Sequence, residues 1–463
     1  MSVITASRRC RFYPLPALWT LFVLLAAPGL SQTATAQGQR ESPPLPRGIS
    51  TVQEKPAPPI VHSPGEPAAP MPTPLSALIA EAEKNDPAIL AAGDAVRAAA
   101  QMPAQASAFP DPQFTFELFS VGSPKPFAGY TNSDFSFIGA GVSQQLPYAG
   151  KRRLRGAVAE REGDVRRQDA EVVHLEELEK LKGAYYRIAY LQRSLAIHHR
   201  HDALVREIAE AAQILYRAGH GNQQDLLRAQ LERTRVLREI SMNQLAAGEA
   251  QAELKRILHR EQDSPDIVAE PLAAAPLSLA PEELLARARE QSPDVRERAE
   301  MVRKGQAEVD LARREFRPDF GLSYMYQNTD RIFRDYYVFS FNVNFPLRKP
   351  RQAALAQASI NVERAQREQE LRAQAVLAGV KKEIIAARAS EEQARIYRDG
   401  LIPQARATYQ AGMAAYESGR EDFQTLLSSA LDVLNLDLEY QQTLLEHQLA
   451  LVRIERLTGA TLP

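Results

Sequence analysis

Three histidines close together are the residues of this sequence best suited to chemistry. His198, His199 and His201 lie in a long stretch with helical periodicity, and imidazole is a common zinc ligand. His198 and His201 are three residues apart, so they share one face of a helix. A zinc site needs further ligands, and no cluster of carboxylates or thiols completes one here. We therefore expect no metal site.

Motifs of the common catalytic sites do not occur in the sequence. It has no phosphate-binding glycine loop, no H-E-x-x-H, no C-x-x-C and no G-x-S-x-G. The acids Glu176, Glu177 and Glu179 are interpreted as a solvated helix face. Lys and Arg number 56 and Asp and Glu number 57, a balance that gives no general attraction to nucleic acid. The sequence predicts no enzyme, no cofactor and no nucleic-acid partner.

The start of the chain has the features of a secretory signal peptide. A positively charged segment precedes a short apolar run, and Ala34-Thr35-Ala36 fits an A-x-A cleavage site. Residues 1–36 are therefore predicted to be removed, with an uncleaved anchor as the alternative. Cleavage would remove Cys10, the only cysteine, and with it any disulfide or thiol ligand. The proline-rich residues 37–74 are predicted to form a disordered linker.

The remainder of the chain repeats one plan twice. Four short landmarks recur in the same order at offsets of roughly 200 residues, which indicates a duplicated unit. Residues 75–270 and 271–463 are the two predicted repeats, each with a short helix, two strands and two long helices. The landmark pairs are Asp86-Pro87 with Ser292-Pro293-Asp294, Pro110-Asp111-Pro112 with Pro318-Asp319, Gln145-Leu146-Pro147 with Asn344-Phe345-Pro346, and Tyr216-Arg217-Ala218-Gly219 with Tyr416-Glu417-Ser418-Gly419.

Each repeat contains two short segments in which apolar and polar residues alternate. Such alternation predicts strands with one apolar and one polar face. The predicted strands are residues 113–119, 135–145, 319–327 and 337–345. In the second repeat the apolar positions are Phe320, Leu322, Tyr324, Phe339, Phe341 and Val343.

The segments between the strands and the ends of the repeats have a helical period instead. Apolar residues recur at spacings of three and four, as in the run from Leu427 to Val452. The helices predicted over 148–216 and 350–416 would each be about 100 Å long. Each is expected to turn at a glycine, Gly219 or Gly419, and to return as a second helix. No compact globular core accommodates helices of that length.

Strands of this length can cross a bilayer if they are tilted. A set of four leaves two open edges, which lipid does not tolerate, so membrane strands would require the chain to oligomerise. Three copies would supply twelve strands, a normal size for a closed barrel. The apolar face of the second strand pair would then contact lipid, and the polar face would contact water.

Basic residues follow both strand pairs. Beside a membrane surface they would be favourable near anionic headgroups, and the alternative is that they are only solvated helix starts. The first cluster is Lys151, Arg152, Arg153 and Arg155, and the second is Arg348, Lys349 and Arg351.

The arrangement over about residues 75–460 resembles the TolC-like outer membrane efflux proteins, also called outer membrane factors. The stretch from Gln145 to Arg152, QLPYAGKR, is most similar to the CzcC/CusC-like branch found with heavy-metal efflux systems. The resemblance implies a mainly helical homotrimer with a transmembrane β-barrel in the outer membrane of a Gram-negative cell and a long periplasmic extension. It also implies two partners, a periplasmic adaptor and an inner-membrane RND-type pump that supplies the energy.

In this family the helix-turn-helix tips contact the adaptor and close the pore. The glycines are also expected to be helix C-caps, whether or not they touch a partner. The sequence departs from the pattern after the second glycine, where Thr425 and Ser428 occupy positions that are acidic in TolC. The matching residues are Tyr216, Gly219 and Asp225 in the first tip and Tyr416 and Gly419 in the second.

The expected function is that of a passive exit duct, with heavy-metal cations as the first choice of cargo. Organic compounds and secreted protein are the alternative cargoes, since the pump usually selects what is transported. A soluble periplasmic coiled-coil scaffold or adaptor would share the signal peptide and the heptads, and it is the alternative class of protein. A periplasmic enzyme on a helical platform is the third hypothesis, supported only by scattered histidines.

Overall fold

The described part of the chain begins near the end of the predicted linker. The computed structural model describes residues 72–120, 136–219, 221–277, 279–329 and 335–461. The predicted signal peptide and residues 37–71 of the predicted linker lie outside these ranges. Thr73, expected in the linker, is already part of the fold. Its N–H donates to the Val268 carbonyl at 2.8 Å and its carbonyl accepts from the Tyr185 hydroxyl at 2.9 Å.

Both repeats have the predicted order of helices, strands and long helices, with more helices before the strands than expected. The first repeat comprises α1 Leu75–Asn85, α2 Pro87–Ala99, α3 Met102–Ala106, β1 Gln113–Phe119, β2 Phe137–Leu146, α4 Lys151–Arg217 and α5 Gln223–Ile257. The second comprises α6 Pro281–Gln291, α7 Pro293–Arg314, β3 Asp319–Asn328, β4 Tyr336–Asn344, α8 Arg348–Ile396, a π-helical turn Tyr397–Leu401, α9 Ile402–Glu417 and α10 Phe423–Thr458.

At each member of the first landmark pair, Asp86-Pro87 and Ser292-Pro293, one short helix ends and the next begins. The residue before a proline is driven towards extended backbone, and Asp86 has φ −66° and ψ 118°. Its side chain accepts a hydrogen bond from the Ala88 N–H at 2.8 Å, which caps the helix that Pro87 starts. Pro293 likewise starts α7, although the Ser292 side chain before it provides no cap. The predicted single short helix is therefore two helices at this point in each repeat.

The four strands lie close to their predicted positions and form one antiparallel sheet in the order β1-β2-β3-β4. The pairing of β2 with β3 joins the two repeats. Proline stands at each passage between helix and sheet, because it supplies no N–H to a ladder. These prolines are Pro110, Pro147, Pro318 and Pro346. Predicted residue 135 lies outside the described part of the chain.

The helix expected over 350–416 is interrupted. The π-helical turn Tyr397–Leu401 separates α8 from α9, and Pro403 follows directly in the first turn of α9. A proline inside a helix removes a hydrogen bond and clashes with the carbonyl four residues before it. An extra residue in one turn relieves that conflict while the chain continues in the same direction.

The helices pack along their length and share no single core. The helix α4 has 67 residues, about 100 Å at 1.5 Å per residue, and it lies against α5, α7 and α10. Buried apolar side chains form three separate clusters, which include Leu181, Leu426 and Val380 respectively. Within the described residues, none of the helices is both long and apolar enough to cross a membrane.

Side chains hold the extended segment 259–277 between the repeats. Gln251 bonds both backbone groups of Ile267, donating to its carbonyl at 2.7 Å and accepting from its N–H at 3.0 Å. Gln192 accepts from the Ala269 N–H at 3.1 Å. Buried backbone groups need partners wherever no neighbouring strand supplies them. The side-chain amides of the two glutamines therefore supply the hydrogen bonds that a neighbouring strand would otherwise provide to this segment.

The acids expected to form a solvated face lie instead at a seam between the repeats. Arg456 of α10 contacts Glu176 at 2.6 Å, Glu179 at 3.5 Å and Asp294 at 3.4 Å. Burial raises the pKa of Glu179 above its usual value. The expectation was wrong for Glu179, because α10 folds back onto α4 from the far end of the chain, and for Glu177, whose side chain is 12% exposed and pairs with Lys180 at 2.7 Å. Glu176 keeps a 42% exposed side chain beside Arg456.

Lys151 joins the repeats at the base of the sheet. Its side chain is 1% exposed, and its Nζ donates to the Arg317 carbonyl at 2.8 Å and to Asp319 Oδ2 at 3.0 Å. Glu315 Oε2 is 3.3 Å from the same nitrogen. Gly150 precedes it with φ 91°, a left-handed conformation that favours glycine. Lys151 is therefore an internal clamp and does not lie at a membrane surface.

Two neighbours of Lys151 are also bound within the protein. Arg155 contacts Glu315 at 3.1 Å. The Arg152 guanidinium lies 3.3 Å from the centre of the Phe109 ring and donates to the Ser107 carbonyl at 2.8 Å. Both interpretations offered for the first basic cluster are therefore wrong for Lys151. Arg155 keeps a 38% exposed side chain beside Glu315, and both interpretations stay open for the exposed Arg153.

We predict that Lys151→Met lowers the free energy of unfolding by roughly 2–3 kcal/mol. Removing one partner of a buried ion pair costs about 3–5 kcal/mol, and here Asp319 keeps some access to water. Denaturant unfolding of the purified protein in detergent measures the loss. Arg153→Met is the control, since Arg153 is exposed and has no ion pair among the described residues; its effect should stay within about 0.5 kcal/mol. Equal losses would contradict the clamp.

Candidate functional surfaces: the sheet and the helical tips

The six predicted lipid-facing residues lie on one face of the sheet. Directly paired residues of antiparallel strands point to the same side, and Phe320 pairs with Val343, Leu322 with Phe341, and Tyr324 with Phe339. Phe341 is 58% exposed in the single chain and Phe339 is 69% exposed.

This apolar face continues across the first repeat. Val142 pairs with Tyr324 on one side and with Phe114 on the other, which places Phe114 on the same face. Phe114 is exposed, as is Phe116. Both repeats therefore contribute aromatic side chains to one continuous apolar surface.

Polar and small side chains occupy the part of the other face nearer the helices, and Phe119, Phe137, Met325 and Val338 lie on the same face towards the strand connections. Thr115, Ser143, Ser323 and Asn342 belong to it by register. Among the described strand residues, the charged side chains are Glu117 and Asp319, both acidic and both on this face. Glu117 pairs with Gly139, so no side chain lies directly opposite it. Asp319 is held by Lys151, which leaves Glu117 as the free carboxylate of the sheet.

Aromatic rings mark both ends of the apolar face, a feature that the sequence interpretation missed. Towards the strand connections, Tyr337 packs against Tyr324 at 6.0 Å and Tyr326 at 5.4 Å between ring centres. Towards the helices, Phe320 lies 5.7 Å from Phe341 and 6.4 Å from Tyr148. Bands of aromatic residues at the two interfaces are typical of membrane strands. The register of the strands is needed to see that these rings form bands.

The sheet has two open edges. β1 and β4 each pair with one neighbour within the described chain, so the outer side of each strand presents unpaired backbone groups. Such an edge pairs with another strand, is covered, or faces water. Both edges border the exposed apolar face.

The glycines of both tips are helix C-caps, as predicted. Gly219 has φ 79° and Gly419 has φ 71°. The Gly419 N–H donates to the Tyr416 carbonyl and the Arg420 N–H donates to the Ala415 carbonyl, both at 2.9 Å. These two bonds form a Schellman motif, which satisfies the last carbonyls of the helix.

The two tip tyrosines differ in what they contact. Tyr416 is 5% exposed and packs against Phe423 at 5.9 Å between ring centres, in a cluster that includes Leu426. Tyr216 is 45% exposed. Asp225 lies half-buried in the first turn of α5. Tyr416 therefore shapes the tip from inside, and Tyr216 is available on its surface.

Hydroxyl groups occupy the second tip where TolC has acids. Thr425 and Ser428 are both exposed on α10. The nearby Asp422 caps the helix, and it accepts the Thr425 N–H and hydroxyl at 2.9 Å each. These bonds hold the pKa of the Asp422 carboxyl below its usual range. Asp422 is thus occupied within its own turn.

Two of the three clustered histidines are helix-packing residues, and the third, His199, is exposed on α4. His198 and His201 are buried, and burial lowers the pKa of His201 to about 4. His198 Nδ1 and His201 Nε2 have no hydrogen-bond partner in the described structure. Across the described ranges, no group of three His, Cys, Asp or Glu residues is placed to hold a metal ion.

We predict opposite effects for two glycine-to-alanine changes. Gly419→Ala should lower the free energy of unfolding by about 1 kcal/mol, because an L-residue is strained at positive φ. Nothing lies within 4 Å of the added methyl group, so the strain comes from the backbone alone. Gly93→Ala in α2 meets equally open space without a positive φ, and it should stabilise by about 0.5–1 kcal/mol. Denaturant unfolding compares the two, and the same sign for both would contradict the C-cap role.

The chain resembles known proteins in two respects, its sequence family and its fold. The family model "Outer membrane efflux protein" matches residues 78–259 and 284–460, one match in each repeat. No curated protein matches the chain by sequence.

Among solved structures, the outer-membrane channel OprN is 19% identical, with 84% of this chain and 90% of OprN covered and a TM-score of 0.71. CusC is 16% identical, with 84% and 92% covered and a TM-score of 0.71. VceC from Vibrio cholerae is 16% identical, with 83% and 96% covered and a TM-score of 0.70. These likenesses confirm the mainly helical fold with four antiparallel strands, and they single out no branch of the family. Because both repeats match the family model, the chain belongs to the outer membrane efflux protein family, the non-enzymatic channels of tripartite efflux systems in the Gram-negative outer membrane.

Proposed function

We propose that three copies of this chain close a twelve-stranded barrel, in which β4 of one copy pairs with β1 of the next. The observation that carries the proposal is a sheet with one continuous apolar face and two open edges. Every backbone group must be paired inside the hydrocarbon core, so such a sheet requires neighbouring strands. Twelve strands lie within the usual range for outer-membrane barrels.

The helical tips are proposed to contact a periplasmic adaptor, with an RND-type pump in the inner membrane supplying the energy. Tyr216 and Leu227 are exposed on the two helices of the first tip. Leu227 and Tyr216 give that tip an apolar surface beside its polar turn. The buried Tyr416 and the capping glycines support the contact by fixing the shape of the tips.

The proposed cargo is a heavy-metal cation. The polar face of the sheet carries carboxylates and, among the described strand residues, no Lys or Arg. Rings of acidic side chains are typical of cation-conducting pores, and three copies of Glu117 would form such a ring. The QLPYAGKR stretch supports the same cargo through its similarity to the heavy-metal branch. Organic compounds and secreted protein are the other cargoes to test.

One mass measurement tests the assembly. The protein extracted from outer membranes in mild detergent should have the mass of three chains plus bound detergent. Recovery as a monomer or dimer in the soluble periplasmic extract would overturn the barrel and favour the coiled-coil scaffold.

Cargo is tested in cells that lack the gene. Loss of the channel should raise sensitivity to divalent heavy metals, and the normal gene should restore resistance. Raised sensitivity to organic compounds alone, with unchanged metal tolerance, would overturn the metal proposal and leave the barrel intact.

The two faces of β4 provide a matched pair of variants. We predict that Phe341→Arg lowers stability in the membrane by roughly 2–4 kcal/mol, because it places a charge against lipid. Asn342→Arg adds the same charge to the polar face and should assemble normally with an altered conductance. The yield of trimer in outer-membrane fractions measures both. Equal yields would argue against the assignment of the faces.

We predict that Glu117→Gln reduces the preference of the channel for cations over anions. It removes the one free carboxylate among the described strand residues of each chain and keeps the size of the side chain. The permeability ratio in planar bilayers should fall several-fold, since charged rings set selectivity in such pores. Glu117→Asp keeps the charge and should keep the preference. An unchanged ratio in Glu117→Gln would show that Glu117 does not face the pore.

A further inference from the structure

Exposed apolar and basic side chains follow one another directly where β4 ends. Phe345 is 74% exposed and Leu347 is 76% exposed. Arg348 and Lys349, the first residues of α8, are also exposed. Within the described structure neither cation makes an ion pair or a side-chain hydrogen bond. We call these four residues the basic collar.

The basic cluster of the first repeat has carboxylate partners, which the basic collar lacks. Lys151 and Arg155 are neutralised inside the protein by Glu315 and Asp319. In the second cluster, Arg351 reaches Glu315 only at 3.9 Å. The two cations of the collar therefore have no anion in the described chain, although the basic cluster that follows the strand–proline junction of the first repeat has two.

With water as its only surroundings, the basic collar costs free energy, both through its charges and through its exposed apolar side chains. Cations in the first turn of a helix oppose the helix dipole, and the first turn of α8 contains no acid. Leu347, the N-cap residue, provides no side-chain cap. The exposed Phe345 and Leu347 add an apolar surface beside the charges. An environment that is apolar on one side and anionic on the other would offset all of these costs.

We propose that the basic collar binds anionic phospholipid headgroups in the periplasmic leaflet of the outer membrane. Phe345 follows Phe341 and Val343 at alternate positions along the chain, so the collar continues the apolar face of β4. Basic side chains at this depth meet phosphate groups, while the neighbouring apolar side chains contact acyl chains. The inference rests on the proposed lipid-facing side of the sheet.

The test compares lipid binding by two variants of equal charge. The full-length protein is reconstituted into vesicles that contain both phosphatidylglycerol and phosphatidylcholine. It is then extracted in mild detergent, and the retained lipid is measured by mass spectrometry. Arg348→Gln with Lys349→Gln removes the collar charges. Lys381→Gln with Arg388→Gln removes two exposed cations of α8 that have no ion pair in the described structure, about 50 Å further along the helix.

The original protein and the Lys381/Arg388 variant should retain phosphatidylglycerol preferentially. The collar variant should lose roughly ten- to thirtyfold of that preference, the effect expected for two cations near an anionic surface. Raised salt should weaken the preference in the original protein, because these contacts are exposed. Arg348→Lys keeps the charge and should keep the preference.

An unchanged preference in the collar variant would overturn the proposal, as would an equal loss in both double variants. If the variants still form normal trimers in the vesicles, either result would leave the proposed barrel unaffected. If the original protein fails to enter vesicles at all, the barrel itself is overturned. The mass of the extracted protein, measured in the same experiment, separates these outcomes.

Discussion

In the hydrocarbon core of a membrane no water is available to pair a backbone N–H or C=O group. Every strand there must find a neighbour on both sides. In this chain β2 and β3 have two neighbours, and β1 and β4 have one each. The exposed aromatic face and the two open edges of the described sheet are the features that the proposed barrel explains, because other copies of the chain would supply the missing neighbours.

The helices meet a different requirement, since they must hold their relative positions over a long distance without a central core. Three apolar clusters are spaced along the bundle, and polar contacts bind the repeats between them. Lys151 joins the repeats at the sheet. Arg456 joins them further down through Glu176 and Asp294. These contacts connect residues far apart in the chain, so they keep the duplicated halves together as one body.

Features with a local period could be predicted from the sequence. The strands were visible because alternation depends only on neighbouring residues, and Gly419 was visible because a left-handed cap favours glycine. Features that depend on distant contacts could not be predicted. The burial of Tyr416 requires the first tip to pack against the second, since Ile208 and Ala229 belong to the same buried cluster. The interruption before α9 is an intermediate case. Pro403 in the sequence shows that a regular helix cannot continue unchanged, but it does not show that the backbone forms a π-helical turn there.

The duplicated landmarks also show why a repeat does not fix the role of its residues. Lys151 and Arg348 each follow a strand–proline junction, yet Lys151 is buried against two acids and Arg348 is exposed. The difference lies in the partner segment, because Glu315 directly after α7 and Asp319 at the start of β3 reach back to α4. In the described chain no acid is placed for Arg348 in this way. Duplication placed a positive charge at both junctions, and the surroundings made one a structural clamp and left the other facing outward.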